Sequence, residues 1–100
     1  MVRTVLIVAS LGLAPAAFAQ DKNARNLAAS CAICHGTEGR AVTQDAKPLA
    51  GLPRAEIATQ MRAFRDGRRP ATVMHQIAKG YSEAEIDTLA AWFAAQKRSP

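Results

Sequence analysis

Cysteine is scarce in this chain: two residues in 100, three positions apart. Neither can staple distant segments together, so a disulfide framework is excluded as the source of stability. Aromatic residues are also few, 5% of the total, and beyond residue 19 they are Phe64, Tyr81, Trp92 and Phe93. No low-complexity tract is present, and the length suits one small globular domain. No apolar run reaches the roughly 20 residues of a membrane-spanning helix. The longest, TVLIVASLGLAPAAF at residues 4–18, contains Pro15 and is followed at once by QDKNARN.

That run stands behind one positive residue, Arg3, and closes on Ala17-Phe18-Ala19, the small-x-small pattern that signal peptidase cleaves. The expectation is a removed export signal at 1–19 and one mature domain at 20–100, with retention as an uncleaved anchor as the alternative. Removal takes one of 13 basic residues, leaving 12 against 8 acidic ones, a net charge of +4 on 81 residues. Near this size, a core of side chains alone supplies about 3–5 kcal/mol, and natural domains add disulfides, a metal or a cofactor. Much of the apolar count here is alanine, so the middle of the fold calls for something more.

Both cysteines lie in Cys31-Ala32-Ile33-Cys34-His35. In C-x-x-C-H each sulfur forms a thioether to one haem vinyl group, and the adjacent histidine places a nitrogen on the iron. The pattern is complete, follows an export signal and uses every cysteine. A thioredoxin-type CxxC calls for a βαβ setting, and no strand periodicity surrounds it. Structural zinc needs more ligands than His75 adds.

The remainder reads as an all-α chain. Ala24, Leu27, Ala28 and Cys31 share helical spacing over 22–34, with Asp21 or Asn23 as N-cap. Gly36, Gly39, Pro48 and Gly51 mark a loop. A second helix opens at Pro53, carries Ile57, Met61 and Phe64 on one face, and ends near Gly67. A short third helix is expected over 72–79. The last has Ser82 as N-cap, Glu85 closing a capping box, and Tyr81 with Ile86 as a hydrophobic staple, and it should run to about Gln96. Its stripe is Ile86, Leu89, Ala90 and Phe93, bordered by Trp92, and its bulky rings pair well with an alanine-rich first helix.

These features together resemble the class I c-type cytochromes: CAICHG near the start, a PLAG turn, an apolar helix, a methionine-bearing loop and the terminal GYSEAEIDTLAAWFAAQ helix. The stretch QMRAFRDGRRPATVMHQIAKGYSEAEI is similar to the flavocytochrome c family, specifically the cytochrome subunit of sulfide dehydrogenase. The resemblance implies about four helices wrapped around one covalent haem c, with thioethers at Cys31 and Cys34 and His35 as axial ligand. It places the family's ligand methionine at Met74, 39 residues after His35. Met61, within the helix-two stripe, and His75, which would make a bis-histidine site, are the alternatives. In the family one residue separates the proline and leucine of the PxLxG turn; here Pro48 and Leu49 are adjacent, which leaves open whether the Pro48 carbonyl receives the His35 Nδ1 proton.

The implied function is periplasmic one-electron transfer, as the accepting subunit of a flavoprotein sulfide dehydrogenase or as a free shuttle to a terminal oxidase. A haem enzyme would need an open sixth position and acid/base groups. Arg62, Arg65, Arg68 and Arg69 form either a solvated face or a patch for haem propionates or an acidic redox partner. Export and the lack of any recognised motif or aromatic platform argue against nucleic acid.

Overall fold

The computed structural model describes Gly12, residues 16–44 and residues 46–98. Most of the apolar run assigned to export lies outside the described residues. Helix α1 spans Ala16–Ala28, and a 3₁₀ turn, Ala29–Cys31, leads into the short α2, Ala32–His35. A second 3₁₀ turn, Thr37–Gly39, begins a loop that reaches α3, Arg54–Arg65. Then come α4, Met74–Ala78, and α5, Glu83–Ala94. No strand occurs among the described residues, in accord with the expected all-α class.

Helix α1 begins earlier than the expected capping residues, so Asp21 and Asn23 lie inside its span. The alanine-rich sequence before them continues the helix at little conformational cost. Helix α4 is shorter than the expected 72–79, because Val73 takes a non-helical conformation at its start. Helix α3 follows Pro53, and Gly67 at φ +74° closes the turn after it. Helix α5 carries the anticipated capping box: Ser82 Oγ accepts from the Glu85 amide at 3.1 Å, and Glu85 Oε1 accepts from the Ser82 amide at 3.0 Å. It ends two residues before the expected Gln96.

Helix α5 is the centre of packing, with α1 and α3 against it and α4 against α3. The buried cluster joins Ala28 of α1, Ile57 and Ala58 of α3, and Ile86, Leu89, Ala90 and Phe93 of α5. Small side chains on α1 let Phe93 approach, and the Trp92 and Phe93 rings meet edge to face at 5.0 Å. Gly39 is obligatory here: it sits at φ +79°, and a Cβ would stand 2.8 Å from Phe93 Cδ1 and 2.9 Å from the Ala50 nitrogen. Its carbonyl accepts from the Leu49 and Ala50 amides, while the Gly51 amide donates to the Phe93 carbonyl at 2.9 Å. These bonds tie the loop to the end of α5. Among the described residues ten apolar side chains are buried, and six of them are alanine. The protein's own side chains therefore leave the middle of the domain hollow.

Candidate cofactor site

The hollow is a cleft of about 690 Å3, within the range of about 300–1,000 Å3 typical of ligand sites. Cys31, Cys34, His35 and Met74 all line it. Leu49, Leu52, Ile57, Phe64, Leu89 and Phe93 supply an apolar wall. Another concavity, about 720 Å3 between α1 and α5, is lined by Lys22, Arg25, Arg54 and Asp87 and contains none of the four.

The two cysteines are brought to the cleft by the helical path through α1, the 3₁₀ turn and α2. Both are free thiols; Cys31 is half-buried and Cys34 exposed. Burial pushes the Cys31 thiol up, partly offset by a hydrogen bond from Ser30. A catalytic dithiol needs the opposite, a thiolate stabilised near neutrality. Gly36 ends α2 at φ +80°, and a Cβ there would stand 2.2 Å from the Arg40 carbonyl oxygen. The chain thus turns sharply away immediately after His35.

His35 Nδ1 lies 2.7 Å from the Lys47 carbonyl oxygen. A carbonyl only accepts, so Nδ1 carries the proton and Nε2 keeps its lone pair for a metal. The acceptor is Lys47 and not Pro48, which settles the question raised by the shortened turn.

Met61 also lines the cleft, but its side chain is packed against the buried cluster of α3 and α5. Met74, the first residue of α4, is half-buried and stands outside that cluster. His75 does not line the cleft, and its buried Nδ1 has no hydrogen-bond partner. Among the described residues, no group of three or more His, Cys, Asp or Glu is placed to hold a metal ion, so the zinc alternative lacks its ligand set.

The arginine cluster is mostly committed within the protein. Arg62 bonds Glu83 at 2.7 Å and Asp87 at 2.8 Å, Arg65 pairs with Glu83 and Asp66, and Arg68 bonds Asp66 at 3.0 Å. Arg65, followed by Arg62, holds the Glu83 carboxyl below the usual carboxylate range. Glu83 and Asp87 lie on α5, outside the run, whereas Asp66 lies within it. The run is therefore a clamp between α3 and α5 more than an open positive patch.

The donor set fits haem c: two thiols three residues apart, an imidazole whose Nδ1 is already occupied, a thioether lining the same cleft, and apolar walls around them. No family model matches the chain. It is 42% identical over 102 residues to a thiosulfate dehydrogenase electron acceptor of Thiomonas intermedia, covering 97% of this chain and 46% of that protein. It is 39% identical over 67 residues to the cytochrome subunit of sulfide dehydrogenase of Chlorobaculum tepidum, covering 67% of this chain and 60% of the relative. The chain spans about half the length of the longer curated relatives it matches. Cytochrome c-554(548) of Halomonas halodenitrificans is 31% identical over 71 residues, and there the match covers 86% of the relative. With most of one cytochrome matched and the cleft furnished for its cofactor, this chain belongs to the c-type cytochromes and its cofactor is covalently bound haem c.

Proposed function

We propose that the protein is a single-haem electron carrier that accepts electrons from a dehydrogenase of an inorganic sulfur compound. The observation that carries this is the convergence of Cys31, Cys34, His35 and Met74 on one apolar cleft. In this reading Cys31 and Cys34 would carry the thioethers, and His35 and Met74 would ligate the iron. Bound there, haem supplies one-electron cycling between Fe(III) and Fe(II). The Lys47 carbonyl fixes the tautomer and orientation of His35, so little moves when charge changes. A methionine thioether opposite a histidine raises the potential relative to a second histidine. The apolar wall lowers the local dielectric and keeps water from the ligands.

The chain itself performs no group-transfer chemistry in this reading; its substrate is the electron of a partner. The relatives' names supply the partner class: two are electron acceptors of thiosulfate dehydrogenase and one belongs to sulfide dehydrogenase. A flavoprotein sulfide dehydrogenase is the specific partner proposed. The match to cytochrome c-554(548), which covers 86% of that protein, favours a second reading, a free shuttle. The export reading completes the picture: cleavage after Ala19 releases residues 20–100 into the periplasm, where α1 would begin at Gln20. Among the described residues no helix is long and apolar enough to cross a membrane.

The test mixes the purified holoprotein with sulfide and a flavoprotein sulfide dehydrogenase, or with thiosulfate and its dehydrogenase. Rapid haem reduction only when a dehydrogenase is present is the expected result. No reduction with either pair, together with fast exchange with a terminal oxidase, would replace this proposal by the shuttle.

A further inference from the structure

The positive charge that Arg62, Arg65 and Arg68 spend inside the protein is left free elsewhere. Among the described side chains each carboxylate is already committed: Glu38, Glu56, Asp66, Glu83 and Asp87 are in ion pairs, and Glu85 closes the α5 cap. Lys22 and Arg25 on α1 and Arg54 at the start of α3 are exposed, and none has a carboxylate partner among those side chains. All three line the concavity of about 720 Å3 beside α5. The carboxylate in its lining, Asp87, already accepts from Arg62 at 2.8 Å. Ala91, Trp92 and Ala95 add apolar surface to the same groove.

This groove and the cysteine-bearing cleft share no lining residue. Helix α5 gives Leu89 and Phe93 to the cleft and Thr88, Ala91, Trp92 and Ala95 to the groove, so the two open from different faces of one helix. Three cations facing no uncommitted carboxylate call for an anionic occupant, and the shape selects its class. A concave groove suits an extended chain better than a flat lipid surface. The exposed large apolar side chains that a lipid surface would take up are Ile33, Val42, Val73 and Ile77, and none of them lines the groove. We propose that the groove between α1 and α5 docks an acidic polypeptide segment of a partner protein, with Lys22, Arg25 and Arg54 pairing its carboxylates and Trp92 packing against its methylene groups. A partner held there leaves the cleft open to a second protein, so docking and electron exchange use separate surfaces. The inference is independent of which dehydrogenase supplies the electron, and the three cations all lie within residues 20–100.

The experiment titrates oligoglutamate into isotope-labelled, reduced holoprotein at low ionic strength and follows the amide and indole resonances. Trp92 is the single tryptophan of the chain, so its indole N–H is an unambiguous reporter of the groove. The expected result is a saturable shift of that resonance, with the amides of Ile33, Val73 and Ile77 at the cleft unmoved. The triple variant Lys22→Gln/Arg25→Gln/Arg54→Gln is expected to weaken binding about tenfold, about twofold for each exposed ion pair. Lys79→Gln removes one exposed charge from outside the groove and should bind as the wild type does. Ionic strength near 1 M, where screening acts over about 3 Å, should reverse the shift. An unmoved Trp92 indole overturns the proposal. So does a shift confined to the cleft amides, or an affinity that the triple variant retains. Binding to phosphatidylglycerol vesicles without binding to oligoglutamate would also overturn it, in favour of a membrane surface. Should the triple variant not accumulate, Arg54→Gln alone is expected to weaken binding about twofold, and wild-type affinity there would count against the groove equally.

Discussion

His35 Nδ1 donates to the backbone carbonyl of Lys47, 12 residues away, at 2.7 Å. Because the acceptor is main chain, the Lys47 side chain is dispensable for ligation. Lys47→Ala removes only the exposed pair with Glu56, worth about 0–1 kcal/mol. The expected outcome is an unchanged haem spectrum and potential, with a small change in denaturation midpoint. His35→Ala, by contrast, is expected to leave a poorly accumulating, largely unfolded chain, as read from soluble yield and circular dichroism. A native-like helical spectrum in that variant would remove the cofactor from its central place in the core.

Met74→Ala is expected to open the sixth position, abolish the methionine–iron absorption and lower the potential by more than about 59 mV, a tenfold shift. Met61→Leu should leave all three nearly unchanged, since a flexible apolar side chain is being replaced by another in the same packed face. Spectra and redox titration of the two variants check the assignment. The reverse pattern would make Met61 the ligand.

Ser82→Ala removes one half of the α5 capping box and is expected to destabilise the holoprotein by about 0.5–2 kcal/mol. Ligation should be untouched, because Ser82 lies outside the cleft. Urea denaturation followed by far-ultraviolet circular dichroism measures the first expectation, and the visible spectrum measures the second. A loss beyond that range would show that the cap also holds the cofactor site.

Acid should loosen the clamp between α3 and α5. Hydrogen bonds from Arg65 and then Arg62 hold the folded Glu83 carboxyl below its ordinary value, and the Ser82 amide does the same for Glu85. A depressed folded pKa means that the contribution is fully present above the unfolded carboxylate value, about 4.3. It is lost as pH falls through the lower folded value. Thermal midpoints measured from pH 7 to pH 3 should therefore drop at the acid end, and Glu83→Gln should flatten part of that drop. Identical acid limbs in the two proteins would show that the clamp contributes nothing to stability.

The CxxCH pentapeptide and the Ser82–Glu85 box were legible because each is a short-range pattern whose geometry the backbone alone enforces. The hinge at Gly67 was legible for the same reason. What escaped reading depends on residues far apart in the chain. Arg62 and Arg65 look like an open positive run until α5 brings Glu83 and Asp87, 21 and 25 residues beyond Arg62, against them. The identity of the His35 acceptor depends on how the loop from Gly39 to Gly51 folds back on itself, which no local pattern encodes. The start of α1 was misplaced because Asp21 and Asn23 resemble caps, yet the alanines before them are stronger helix formers than either residue is a stop signal.

Six alanines among the ten buried apolar residues of the described chain make the interior a container rather than a keystone. Thioether bonds, unlike a dissociable ligand, are not given up again by dilution, so the chain crosses from open to closed once in its lifetime. If chains that miss that event are as unfolded as His35→Ala is expected to be, they stay open to proteolysis. The amount of folded protein would then follow haem delivery, counted one molecule at a time.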